Sequence, residues 1–521
     1  MKIIFEDAEK EAELVKDRTI LSYLQELEIS INASCGGEGR CGKCVVEVES
    51  VPGALSEKTD TEHKFTHKDT HRLACQATIM NTNAPLFVHV PLRAYCIVES
   101  GNFWEIPVEP FVHREGERVF YDSVDVGTYA GELYGIGLDI GTTTLAMYLV
   151  DLETGAVASI NSRENPQTKY GNNVISRIEF AKEGRAILER EIRSAVNEMI
   201  AELTDPEKVY ELVIVGNPVM RDLFFGHPVD SLGTSPYEPL SVNAIHKTPA
   251  ELGLRVNPKA PVYGLPLIGS FIGADTLAVV LATEMYKSAK IRMAIDIGTN
   301  TEIVLGNKDK MIATSCAAGP AFEGGSITHG ICGVCGAIRE VRIENGDLKY
   351  TTVGNAAPVG VCGSGLIDML AELLDKHIIN GRGKFYGATH KVNITETISL
   401  SESDIDQLNL AKTAVSVGIK VLAERYGIEL DAIDRVFLAG AFGYFINVEN
   451  AMRIGLLPRI DHTKVEKIGN AAIEGARQAL VSKTKRNEAE AIAKRIKHIK
   501  LEEEENFHEK FIGELYFRNY L

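Results

Sequence analysis

Asp139-Ile-Gly-Thr-Thr-Thr144 and Asp296-Ile-Gly-Thr-Asn-Thr301 are two copies of one turn, 157 residues apart in a chain of 521. Each follows an apolar run that ends in the aspartate (134–139 and 293–296) and precedes another (145–150 and 302–305). A strand, a Gly-Thr turn and a second strand are therefore expected twice, one hairpin per half-domain. Glycine permits the sharp turn and lets backbone amides approach an anion, and the threonine hydroxyls add donors. An aspartate at the strand end is placed to hold Mg²⁺, usually through water, because Mg²⁺ keeps several waters. Two such turns facing each other across a cleft would clamp a triphosphate and its metal. No GxxxxGK[ST] occurs, so this is not a Walker loop.

The chain around these turns reads as α/β from residue 133, with helices expected over 365–377, 404–426 and 470–480 and a strand over 435–438. Residues 96–132 lack clear periodicity and read as a connector, with a strand or two around 118–121. Residues 1–95 read as a small α+β unit: a helix over 19–28 with Ile20, Leu21, Leu24 and Leu27 on one face, an alternating strand from Cys44, and a closing strand over 85–91. The length suits roughly three to four domain-sized units. Hydrophobic content of 45% and charge of 24% are those of a soluble globular protein. A net charge of −17 argues against nucleic acid, which needs a basic footprint. The first twenty residues hold no apolar signal region, and no run of 18 apolar residues occurs, so neither export nor a membrane span is expected. The reading is a cytoplasmic protein whose nine cysteines sit in a reducing compartment, where clustered cysteines bind metal more often than they form disulfides.

Four cysteines are clustered: Cys35, Cys41, Cys44 and Cys75, spaced C-x5-C-x2-C-x30-C. Iron–sulfur clusters are held by thiolates, four for [2Fe–2S]. A glycine-rich loop supplies three, its Gly36, Gly37, Gly39 and Gly42 letting the backbone wrap closely and aim amides at sulfur. Cys75 supplies the fourth. Zinc on the same four thiols is the competing reading, although zinc loops usually come as two C-x2-C pairs. Residues 1–95 resemble a [2Fe–2S] ferredoxin domain of the C-x5-C-x2-C type, a variant of the plant-type spacing.

The duplicated turn resembles the two phosphate motifs of the acetate kinase, sugar kinase, Hsp70 and actin superfamily. Val436-Phe-Leu-Ala-Gly-Ala-Phe-Gly443 resembles its adenosine motif, and 469–477 the small-residue helix packed behind it. The fold implied is a ferredoxin-like α+β domain (1–95), a short linker or middle region (96–132) and a duplicated, ribonuclease H-like, actin-like α/β ATPase domain over 133–521, with lobes 133–290 and 291–521. The nucleotide residues implied are Asp139, Gly141, Thr142, Thr143, Thr144, Asp296, Gly298, Thr299, Asn300, Thr301, Gly363, Ser364, Gly440, Ala441, Phe442 and Gly443. Asp139, Asp296 and Asp275 are the candidate catalytic residues. Asp275 reads equally as a positioner of the attacking water and as a helix cap; Asn217 reads as a nucleotide contact or a cap.

The pairing of the two modules resembles the reductive activators of corrinoid-dependent methyltransferases. The stretches 165–177, 215–220, 272–276 and 361–368 agree with that family. The short connector, and the lack of a further four-cysteine motif after Cys362, depart from some members and imply a single cluster. The resemblance implies a [2Fe–2S] cluster, ATP and Mg²⁺, a corrinoid protein as acceptor, an external low-potential electron donor, and a homodimer. The reaction implied is one-electron reduction of Co(II) corrinoid to Co(I). A potential gap of roughly 200–250 mV costs about 5–6 kcal/mol, within reach of one ATP. The competing readings are an ATP-driven donor to another low-potential acceptor, such as a dehydratase cluster, a redox and nucleotide sensor without turnover, and a small-molecule kinase.

Weaker signals read blandly. Cys332-Gly-Val-Cys335 is a C-x2-C without a second pair, and it reads, like Cys96, Cys316 and Cys362, as buried small residues. His63, His67 and His71 would form a stripe on a helix, best read as solvated surface, with partner docking as the minority reading. The run 502–505 reads as a solvated acidic face.

Overall fold

The computed structural model describes residues 2–5, 10–27, 29, 31, 37, 39, 44–66, 69–83, 85–90, 104–171 and 173–517. Two compact units emerge: residues 1–94 with 166–184, and residues 95–165 with 185–521. No helix among the described residues is long and apolar enough to cross a membrane.

In the first unit, a five-stranded sheet runs in the order Lys10–Glu13, Lys2–Phe5, Leu86–His89, Val45–Glu49, His71–Leu73. The helix Ile20–Glu26 starts where Thr19 accepts a hydrogen bond from the Ser22 amide, and it buries Ile20, Leu21, Tyr23 and Leu24. These pack on Ile3, Phe5, Val46, Leu73 and Val88, all fully buried. The helix Asp60–Phe65 ends before a histidine stripe can form: Thr66 is already extended and His71 opens a strand. His63 and His71 thus lie on different elements, and His67 is outside the described residues.

The second unit opens with a three-stranded antiparallel sheet, Val112–Glu115, Arg118–Tyr121 and Val124–Thr128. This is more structure than the strand or two expected in the connector.

Two six-stranded sheets follow. The first holds β1 (Tyr134–Ile140), β2 (Thr144–Asp151), β3 (Val157–Glu164), β4 (Val209–Gly216), β5 (Ile245–Lys247) and β6 (Val262–Gly264), in the order β3-β2-β1-β4-β6-β5. The second holds β7 (Arg292–Ile297), β8 (Thr301–Gly306), β9 (Met311–Cys316), β10 (Arg435–Ala439), β11 (Val465–Gly469) and β12 (Ile496–His498), in the order β12-β9-β8-β7-β10-β11. Each has an antiparallel three-stranded meander, β1-β2-β3 or β7-β8-β9. Each then adds two parallel strands beside the first, β4 and β6 or β10 and β11. The duplication read from the turns is thus a duplication of topology.

One core lies between these sheets. Ala146, Tyr148, Val213 and Val215 from the first sheet share it with Ala294, Val304, Ala313 and Phe437 from the second. The helices Ala274–Thr283 and Ala471–Val481 are embedded in it and pack on each other. The other face of the second sheet (Ile295, Ile303, Leu305) packs on the helices Gly363–Asp375 and Glu402–Tyr426. Burying each large apolar side chain contributes about 1.5–3 kcal/mol.

Candidate nucleotide and cluster sites

In a strand, alternate residues share a face. Asp139 lies on the face of β1 that carries its register partners Ala146 and Val215, and Asp296 on the face of β7 that carries Ala294 and its partner Ala439. Those neighbours belong to the core between the sheets. The two aspartates, each one residue from the end of its strand, therefore lie at the rim of the layer between the two sheets. Asp275 enters the same place from the first turn of Ala274–Thr283.

The electrostatics record this convergence. Burial first, then Asp275 and Asp296, push Asp139 up to about 8, against the pull of the Asn470 amide. Burial and Asp275 push Asp296 up to about 7. Burial pushes Asp275 up to about 6, opposed by its bond from the Thr276 amide. Glu302 is raised well above the carboxylate range by burial, then by Asp275 and Asp296. These carboxyls crowd one another, and a divalent cation is the group that relieves such crowding. Among the described residues no three side chains converge closely enough to hold a metal by themselves. That fits Mg²⁺, which is held by one or two carboxylates together with waters and phosphate oxygens.

The turns are braced from outside. Asn217 caps the helix Pro218–Phe225 through Oδ1 and donates Nδ2 to Thr142 Oγ1 at 3.0 Å, so it is both the cap and the neighbour of the turn. Asn165 donates its side chain to Gly141 O at 2.8 Å and its amide to Thr143 O at 2.8 Å. In the second lobe Thr299 donates to Glu323 Oε2 at 2.7 Å. Asn470 donates to Asp139 Oδ2 at 3.1 Å. Gly440, Phe442 and Gly443 form the helix Gly440–Phe445 directly after β10; the Ala441 side chain lies outside the described residues. Gly440 has φ +84°, and a Cβ there would sit 2.8 Å from Asp296 Oδ1. Only glycine lets the chain pass so close to the aspartate.

The remaining expected residues divide. Thr144 shares the face of Asp139 through its strand-mate Ala146 and is half-buried. Thr301 pairs with Ile297, on the opposite face from Asp296, and is fully buried with an unpartnered hydroxyl. Gly298 and Asn300 belong to the three-residue connection between β7 and β8. Gly363 starts its helix beneath Phe442, whose ring stacks on Phe322 at 5.6 Å. Ser364 is buried and donates to Arg339 O. Sequence reasoning did not single out Asn165, Asn470, Glu302 or Glu323. Asn470 carried a usable signal, a helix-start asparagine at 470 before 471–481.

In the first unit, Cys35 and Cys41 lie outside the described residues. Cys44 and Cys75 are buried and flank the paired strands Val45–Glu49 and His71–Leu73, with the Ala74 amide donating to Cys44 O at 2.8 Å. Gln76 Nε2 lies 3.6 Å from Cys75 Sγ, a donor to sulfur of the kind clusters use. Gly39, at φ +75°, sits so close to Gln76 that a Cβ would lie 2.7 Å from Nε2, which places Gly39 against the residue that follows Cys75. This donor set fits a [2Fe–2S] cluster. Of the other thiols, Cys316 and Cys362 are buried, whereas Cys335 is exposed, so the C-x2-C pair is not wholly interior. Cys332 lies 3.7 Å from Glu323 O, and Cys96 is outside the described residues. In the 502–505 run, Glu504 pairs with Arg425 at 2.7 Å.

Three family profiles match in chain order. They are the 2Fe-2S iron-sulfur cluster binding domain over residues 3–80, the RACo middle region over 134–288, and the C-terminal, ASKHA domain of RACo over 290–520. The chain is 30% identical to the corrinoid activation enzyme RamQ of Eubacterium limosum, across 98% of each chain. It is 27% identical to the [Co(II) methylated amine-specific corrinoid protein] reductase of Methanosarcina barkeri, over 74% of this chain and 77% of that one. A solved structure described as a reductive activator for corrinoid, iron-sulfur protein superposes with a TM-score of 0.72 at 29% identity, covering 99% of this chain and 98% of its own. The chain belongs to the family of corrinoid activation enzymes, in which a [2Fe–2S] ferredoxin domain precedes an actin-like ASKHA ATPase domain.

Proposed function

We propose that this protein reactivates a corrinoid protein, passing one electron from its [2Fe–2S] cluster to convert Co(II) to Co(I) at the expense of ATP. The observation that carries this reading is the convergence of Asp139, Asp275 and Asp296 at the duplicated turns, on a chain that also has a 2Fe-2S domain match. Residues 1–95 would be the electron module, 96–132 a linker or short middle region, and 133–521 the ATPase, with lobes of roughly 133–290 and 291–521. Cys35, Cys41, Cys44 and Cys75 hold the cluster, which supplies the electron.

The ATPase residues act as follows. The two Gly-Thr turns and Gly440 leave room for the triphosphate between the lobes. Asp139 and Asp296 would hold Mg²⁺ through its waters, and Asp275 would orient the attacking water. The acceptor is a corrinoid protein of a methyltransferase system; an external low-potential donor re-reduces the cluster. The protein works in the cytoplasm as a homodimer, on the pattern the family resemblance implies. Nucleotide can favour a complex in which cobalt is easier to reduce only through different affinities for the two states, and hydrolysis then releases the partner.

The test is anaerobic and optical. The reduced protein is mixed with a Co(II) corrinoid protein from the same genome, and cobalt is followed with and without Mg-ATP. Co(I) that accumulates only with Mg-ATP supports the proposal. Equal rates without nucleotide, or cluster oxidation by a dehydratase and by no corrinoid protein, would overturn it.

A further inference from the structure

The two hairpins that carry the aspartates are not in the same register. In the first lobe Asp139 pairs with Ala146 and Ile140 with Leu145, leaving residues 141–144 in the connection. In the second, Asp296 pairs with Glu302 and Ile297 with Thr301, leaving 298–300. The second connection is one residue shorter, and a one-residue change of register turns every following side chain to the opposite face. Aligned by sequence, Glu302 stands beside Leu145, a fully buried core residue. By register it stands where the first lobe has Ala146, on the face of Asp296 and toward the layer between the sheets. Directly paired residues of an antiparallel ladder hold their Cβ atoms about 4.5–5.5 Å apart.

The next strand holds this side chain in place. Ser315 is the register partner of Glu302 on β9 and donates to its Oε1 at 3.0 Å. The first lobe has a serine in the corresponding place, Ser162 opposite Ala146, with no carboxylate to orient. The hairpin itself does not require an acid here, because its repeat is built with alanine. A carboxyl added beside Asp296 and Asp275 is unfavourable in its charged form unless a proton or a cation neutralises it.

We propose that Glu302 is a positioning residue for the metal of the nucleotide: together with Asp296 it takes the water shell of Mg²⁺ on the second lobe. The inference rests on the reading of this cleft as the Mg-ATP site. Because Mg²⁺ keeps several of its waters, a further carboxylate can act on it through that shell without being a direct ligand.

The experiment is calorimetry of a non-hydrolysable ATP analogue on the full-length, cluster-loaded protein, with Mg²⁺ and with EDTA, for the wild type and Glu302→Gln. Glutamine can still accept the Ser315 bond, and an unchanged cluster spectrum and melting temperature control for folding. Wild-type binding is expected to tighten with Mg²⁺, and Glu302→Gln to lose about tenfold or more of that tightening. In EDTA the variant should bind as well as wild type, since burial and the neighbouring aspartates already favour the neutral form of Glu302 when no cation is present. Ser315→Ala, which frees the Glu302 carboxyl, should lower the Mg²⁺-dependent tightening by less and leave binding in EDTA unchanged. A variant weakened equally in both conditions, or one with unchanged Mg²⁺ dependence, overturns the role of Glu302. Wild-type protein that binds no analogue in either condition overturns the nucleotide-site reading and Glu302 with it, so the two failures are told apart.

Discussion

Asn470 donates Nδ2 to Asp139 Oδ2 at 3.1 Å while its own Oδ1 accepts from the Ile473 amide at 3.2 Å. The residue that caps a helix leaving the second sheet thus braces the aspartate of the first. The two roles separate by substitution. Asn470→Ser keeps a capping oxygen but loses the donor to Asp139; Asn470→Ala loses both. Steady-state ATP hydrolysis should fall to a similar extent in both variants, roughly tenfold on the scale of a lost positioning bond. Only the alanine variant should also lose about 1 kcal/mol in chemical denaturation.

The raised carboxyls link stability to pH with a definite sign. Asp139 and Asp296 move from an ordinary value of 3.8 to about 8 and about 7. The folded protein therefore holds more protons than the unfolded chain between roughly pH 4 and 8, so stability falls as pH rises through that window. Their contribution is fully present below the unfolded value and is lost as pH passes the folded values. In EDTA, the protein should melt lower at pH 8 than at pH 6. Asp139→Asn should flatten that slope, and Mg-ADP should remove most of it by binding the folded state with its own cation. A slope that Asp139→Asn leaves untouched would count against the crowding.

The parts of this architecture that were legible in the sequence share one property: their signal is local. A strand leading into Asp-Ile-Gly-Thr and a helix starting at Thr19 each announce themselves within ten residues. Ala274–Thr283 did not, because it is buried almost all round and shows no polar face from which to read a 3.6-residue period. The sheet at 112–128 turns at Gly116 and at Asp122, and its strands of four or five residues are too short for a clear alternation to show. The facing of Glu302 was illegible for a different reason. It depends on which residue of β8 pairs with Asp296, and register belongs to the folded hairpin.

Gly440 should tolerate no side chain. Alanine there meets a φ of +84° and a Cβ position 2.8 Å from Asp296 Oδ1. The strain alone is about 1–3 kcal/mol, and any relief moves the aspartate. Gly440→Ala should lose nucleotide affinity at least tenfold while the cluster absorbance stays at the wild-type value. Retained affinity would show that the turn after β10 does not border the site.

The cysteines make a sharper division. Serine at Cys35, Cys41, Cys44 or Cys75 should each abolish the visible cluster spectrum and reduce iron below about two per chain, the content of a [2Fe–2S] centre. Nucleotide binding by the second unit should survive. The double change Cys332→Ser, Cys335→Ser should leave iron and spectrum intact. Iron lost in that double variant would bring the C-x2-C pair into the metal chemistry.

Arg486 holds the opening sheet of the second unit to the first-lobe sheet. Its guanidinium lies 2.7 Å from Glu211 Oε1 on β4, donates to Tyr121 Oη at 3.1 Å, and is layered between the rings of Phe111 and Tyr263 at 4.5 and 4.6 Å. Burial pushes Glu211 up despite its partner, and pushes Tyr121 up to about 12. Removing one member of a buried pair strands the other's charge. Arg486→Met should therefore cost about 3–5 kcal/mol, and adding Glu211→Leu should restore most of it, because a well-packed apolar pair often replaces a buried ion pair without loss. Denaturant unfolding of both variants is the measurement. If the double variant is no more stable than the single one, the stacking of Arg486 on the two rings, rather than its charge, is what holds the sheet.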